Sequence, residues 1–160
     1  MRQILDDPCF QRGFDVSTQK WTINGEMEPP YRAGRTWGGD QPVWKLAQWQ
    51  SMYDLMDGEQ FVTETGIGIR DAGKTVVLNR LSADTCEVIL EQRGSVEFPP
   101  ERPDSWPHLI LQQSFEPCSL ADCSSLRLNM SFELSRAELI RPEAAIADGA
   151  LFSLVTVLNN

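Results

Sequence analysis

One stretch of the chain concentrates side chains able to hold a polar ligand. Arg102-Pro103-Asp104-Ser105-Trp106-Pro107-His108 runs directly into Leu109-Ile110-Leu111-Gln112-Gln113. Read as a strand, this run puts His108, Ile110 and Gln112 on one face and Leu109, Leu111 and Gln113 on the other. Arg102 and Trp106 then stand at the strand entrance. Guanidinium, imidazole and amide groups supply directional hydrogen bonds, and an indole supplies a flat apolar surface, a mixture that suits a polyhydroxylated ligand. Arg35 and Trp37, set among Gly34, Gly38 and Gly39, repeat the mixture. The expected ligand site is therefore one cleft lined by Arg35, Trp37, Arg102, Trp106, His108 and Gln112. The competing account is that His108 and Gln112 satisfy backbone groups at a sheet edge, which is the commoner use of a lone histidine.

Trp21, Trp37, Trp44 and Trp49 crowd the first third of the chain, with Trp106 as the fifth tryptophan. Trp44 and Trp49 read as core before ligand, because an indole buries a large area. Trp37, in a Gly-rich segment, reads equally as core or as stacking platform. Catalysis is the alternative to binding. Glycoside hydrolysis needs two carboxyl groups roughly 5–10 Å apart. Glu64, Glu87, Glu91 and Glu133 are candidates, with ordinary solvent-face carboxylates the simpler account. A glycoside hydrolase or polysaccharide lyase would use such a carboxylate, or His108, in the same cleft. A third class is a non-catalytic structural or interaction domain whose Trp-rich face docks on another protein. There is no Gly-x-Ser-x-Gly elbow. Gly66-Ile67-Gly68 lies in a strand pattern with no helix after it, so no phosphate or dinucleotide loop is expected. His108 is the single histidine and Cys-x-x-Cys is absent, so neither zinc nor any other cofactor is expected.

The elements that must carry these residues read as β. Leu126 to Leu134 alternates without a break, with Leu126, Leu128, Met130, Phe132 and Leu134 on one side and Arg127, Asn129, Ser131 and Glu133 on the other. Only a strand has that period, and the rest of the chain is expected to cover its apolar face. Residues 1–42 read as a lead-in segment followed by a loop over 26–41. Val43 to Met56 is ambiguous, with a strand favoured through Trp49 and Trp44, Leu46 and Gln48 on one side. One strand is expected over Gln60–Arg70, where Gly66 and Gly68 hint at a bulge or a close contact. A tight turn follows at Asp71-Ala72-Gly73-Lys74, then strands at Thr75–Leu81, Thr85–Gln92 and His108–Phe115. A helical turn within Ser135–Ile146 and a strand over Leu151–Leu158 complete the reading. About seven strands with frequent turn signals predict a single all-β domain, an antiparallel β-sandwich of jelly-roll type with long Pro/Gly-rich loops.

The chain has 160 residues and a net charge of -9. The acidic balance and the lack of a Lys/Arg cluster argue against nucleic acid and against anionic membrane surfaces. No apolar run approaches the roughly 20 residues of a spanning helix, so no membrane insertion is expected. The N-terminus has no apolar signal region, which fits a cytoplasmic chain or a start after a removed signal. The apolar run close to the C-terminus fits a complete domain or a fragment of a larger one. Cys118 and Cys123 flank a loop that could close as a small disulfide ring. Cys9 and Cys86 lie far apart in sequence, and the pairing stays open. An oxidising compartment, secreted or periplasmic, is set ahead of the cytoplasm. Oligomeric state is not legible.

Trp106-Pro107-His108-Leu109-Ile110-Leu111-Gln112-Gln113, together with Trp44-Lys45-Leu46-Ala47-Gln48-Trp49, resembles secreted β-jelly-roll proteins of polysaccharide-degrading bacteria, of the concanavalin A-like lectin/glucanase type. The resemblance covers about Trp37 to Leu134 and rests on strand texture. It implies a jelly roll that binds a glycan or polysaccharide. The Glu-x-Asp-x-x-Glu strand of the catalytic members is absent, so their activity is not implied.

Overall fold

The computed structural model describes residues 5–20, 32–97, 107–114, 131 and 133. Just over half of these residues are in strands, arranged in two four-stranded sheets. The strand over 126–134, the Cys118–Cys123 loop, the helical turn in 135–146 and the strand over 151–158 lie outside the described residues, apart from Ser131 and Glu133. Those two are exposed and belong to no strand. No described helix is long and apolar enough to cross a membrane.

The first sheet has the order β2-β1-β3-β8. Its strands are β1 (Phe14–Lys20), β2 (Arg32–Trp37), β3 (Trp44–Ser51) and β8 (His108–Gln113). Two expectations are corrected here. The segment expected as lead-in and loop supplies β1 and β2, and β1 lies inside the sheet rather than ahead of it. The sheet is also not purely antiparallel. β1 pairs antiparallel with β2 and parallel with β3, while β3 and β8 are antiparallel. Parallel neighbours need a crossover between them. Here β2 makes the return journey along one side of β1, so β3 can start again at the same end on the other side without a helix.

The second sheet is a meander of consecutive antiparallel strands, β4 (Glu59–Val62), β5 (Gly66–Arg70), β6 (Lys74–Arg80) and β7 (Cys86–Gln92). The single strand expected over Gln60–Arg70 is a hairpin, closed by Thr63 N–H donating to Gly66 O at 2.9 Å. Its glycines are close contacts. A Cβ on Gly68 would enter the ring of Phe61, its cross-strand partner, and one on Gly66 would strike the Leu78 carbonyl. The Asp71–Lys74 turn forms as expected. Asp71 Oδ1 accepts from the N–H groups of Gly73 and Lys74, each at 2.7 Å, which is how a short carboxylate nucleates a turn. One helical turn, α1 (Gly94–Glu97), interrupts the Pro-rich connection to β8.

The two sheets share one buried cluster. Phe14, Val16, Trp37 and Leu46 come from the first sheet and Ile69, Val76 and Leu78 from the second. Leu55 joins them from a short 3-10 turn, Leu55–Asp57. Burying apolar area at about 25 cal/mol per Å² makes this shared cluster the main force holding the sheets together.

Candidate functional site

Register assigns the described side chains of the first sheet to a face, because residues paired across strands point the same way. Trp37, Phe14, Trp44 and Gln113 form one row, and Arg35, Val16, Leu46 and Leu111 the next. Phe14, Val16 and Leu46 are fully buried, so both rows face the core. The intervening rows face outward: Thr36, Asp15, Lys45 and Gln112 in one, and Trp49 with His108 in another. His108 and Gln112 therefore share a face, as alternation predicts.

The cleft expected from sequence is not formed. Arg35 and Trp37 lie on the inner face, opposite to His108 and Gln112. Trp37 is 2% exposed and its ring stacks on Phe14 with centroids 5.3 Å apart, so it is core and not a stacking platform. The Arg35 guanidinium is turned onto backbone carbonyls of the fold. Nη1 donates to the carbonyls of Leu55 and Met56, and Nη2 to that of Gly58 at 2.9 Å. These bonds satisfy the exposed carbonyls of the 3-10 turn. Position in a strand whose odd-numbered residues face inward decides both cases, which a reading of 26–41 as loop hides. Arg102 and Trp106 lie outside the described residues.

The outer face brings together residues that were read differently. Trp49, expected in the core before the ligand site, is 41% exposed. It stands opposite His108 with ring centroids 6.5 Å apart and planes tilted by 57°. Lys45 and Gln112 are exposed cross-strand partners two pairs away, with Ala47 and Ile110 between. Thr36 and Asp15 extend the polar row, and Asp15 Oδ1 accepts from Gly34 N–H at 3.1 Å. Lys45, Asp15, Thr36 and Trp49 were absent from the expected site. Their signal was available: with Trp44, Leu46 and Gln48 on the inside, residues 45 and 49 must point out.

The carboxylates considered for catalysis do not converge on this face. Glu64 is in the β4–β5 turn, Glu87 accepts from Asn79 Nδ2 at 2.9 Å, and Glu91 lies 3.5 Å from Arg93. All three lie in the second sheet or its turns. Glu133 is exposed and in no strand.

A separate ionic cluster is buried. Lys74 Nζ donates to Glu97 Oε1 and to Tyr53 O at 2.9 Å, and sits 3.0 Å from Asp71 Oδ2. Glu97 Oε2 accepts from Met52 N–H at 2.9 Å. The Lys74 and Glu97 side chains are fully buried. Burial raises the Glu97 pKa, the Lys74 ammonium opposes the rise, and Asp71 adds to it. One ammonium shared by two carboxylates leaves an excess negative charge in low dielectric, where protonation is favoured. Every partner is internal, and the cluster ties α1 to the β5–β6 turn and to the chain after β3. It acts as a clamp.

No family model, curated protein or solved structure matches the chain. The functional reading therefore rests on the outer face and its chemistry.

Proposed function

We propose that this protein is a carbohydrate-binding domain of jelly-roll β-sandwich type that holds a glycan chain along the outer face of its first sheet. The observation that carries the reading is Trp49, a large indole left exposed on a strand face beside an exposed imidazole. An exposed aromatic bordered by polar groups is a common form of binding surface, and a sugar ring offers the apolar face an indole accepts. His108, Gln112, Lys45 and Thr36 supply donors and acceptors for hydroxyl groups. Trp49 with His108 and Lys45 with Gln112 form two exposed pairs about 13 Å apart along the strand, separated by the buried Ala47, so a chain of several linked sugars is the ligand that reaches both. The domain binds and does not cleave, and it works in a secreted or periplasmic setting on a polysaccharide or glycan.

The experiment is affinity electrophoresis on plant and host polysaccharides, followed by Trp49→Ala and His108→Ala. Retardation by at least one polysaccharide is expected, with each variant weakening binding about tenfold or more at unchanged melting temperature. A folded protein that no polysaccharide retards would remove the reading.

A further inference from the structure

The segment ahead of β1 is a strap across the ends of both sheets. On the first-sheet side, Trp44 Nε1 donates to Asp7 O at 2.8 Å, and the Gln113 amide bonds the backbone N–H and carbonyl of Asp6 at 2.9 and 2.7 Å. On the second-sheet side, Arg80 Nη2 donates to Gln11 O at 3.2 Å, and Gln11 Nε2 donates to Ala83 O at 3.1 Å. Phe10 stacks on Phe14, with centroids 5.1 Å apart. The strap sets Cys9 against Cys86, the first residue of β7. Cys86 Sγ donates to the carbonyl of Pro8, the residue directly before Cys9, at 3.8 Å. Both thiols are free and partly buried.

We propose that Cys9 and Cys86 form a disulfide site, which on oxidation fastens the N-terminal strap covalently to the second sheet. The inference rests on the strap's geometry and is independent of the carbohydrate reading. The oxidant is a low-molecular-weight disulfide such as oxidised glutathione. The Cys9 sulfur, as thiolate, attacks one sulfur of the oxidant and expels one glutathione thiolate. Cys86 then gives up its proton and attacks the Cys9 sulfur of the mixed disulfide, expelling the second. Two protein thiols lose two electrons to the oxidant, and their two protons end on the two glutathione thiols. Burial, with help from Cys9 and Asp7 and against Arg80, pushes the Cys86 thiol up to about 11. The closed bond spans most of the described chain, and a long closed loop restricts the unfolded state strongly.

The test uses the full chain, oxidised with glutathione disulfide, acid-quenched and mapped as unreduced peptides. A peptide pair joined through Cys9 and Cys86 is expected, lighter by about 2 Da than its reduced halves. In a Cys118→Ser/Cys123→Ser background, oxidation should raise the melting temperature by about 5–15 °C. Cys86→Ser and, separately, Cys9→Ser should abolish both the link and the rise while keeping the reduced protein's circular dichroism. Cys9 or Cys86 bonded instead to Cys118 or Cys123, both thiols still alkylated after oxidation, or a bond formed without any rise in melting temperature would overturn the proposal.

Discussion

Trp37 and Trp49 are the same residue type with opposite roles, and strand phase decides between them. Trp37 shares its row with Phe14 and Trp44 and is buried, whereas Trp49 shares its face with Lys45 and is exposed. Trp37→Ala should cost about 3–5 kcal/mol in urea unfolding, as large aromatic truncations do. Its indole N–H has no hydrogen-bond partner among the described residues, so Trp37→Phe should cost less than about 1.5 kcal/mol. Equal costs for the two variants would contradict a packing role. The buried clamp gives a second residue-level expectation. Lys74→Met leaves Glu97 and Asp71 without their cation and should cost about 3–5 kcal/mol by the same measurement. Glu97 also sets a pH dependence. Its folded pKa lies above the ordinary 4.5, so its contribution is fully present below that value and is lost as pH rises through the folded pKa. As pH rises above the ordinary 4.5, the melting temperature of the wild type should fall relative to Glu97→Gln. A rise would mean that attraction to Lys74 outweighs burial.

At the scale of elements, alternation made most of the described strands legible. β3, β6, β7 and β8 carry unbroken period-two patterns or β-branched runs, and Asp71-Ala72-Gly73-Lys74 announces its turn. β1 was as readable in kind, since Phe14, Val16 and Thr18 alternate with Asp15 and Ser17. It was hidden by its place in a stretch with no clear boundary. β2 was hidden by Gly34 and by the glycines that follow Trp37. The β4–β5 hairpin was missed because Thr63-Glu64-Thr65 lacks the Gly, Pro or Asn that usually marks a turn. Gly66 was correctly suspected of a close contact. Gly66→Ala should cost about 1–3 kcal/mol, the range for overpacking a filled space, because the obstructing atom is a backbone carbonyl that cannot swing away. Stability equal to wild type would show that the β5–β6 pair can open there. The outer site was half legible. Alternation puts His108 and Gln112 on one face, but their cross-strand neighbours Trp49 and Lys45 follow only from the pairing register.

Among the described residues, the two sheets share a core whose buried members run from Phe14 to Leu78, and the N-terminal strap closes one end. The inner face of the first sheet is committed to packing, with Arg35 used on backbone carbonyls, while the outer face exposes Trp49, His108, Lys45 and Gln112 around the buried Ala47. That division is the basis for reading Trp49, His108, Lys45 and Gln112 as one binding surface. The most direct measurement is a tryptophan-fluorescence titration with the polysaccharide that retards the protein most, run on wild type, Trp37→Phe and Trp49→Ala. The account predicts a saturable change in wild type and in Trp37→Phe, and its loss in Trp49→Ala at an unchanged melting temperature. A titration that Trp49→Ala leaves intact, or that Trp37→Phe alone abolishes, would contradict it.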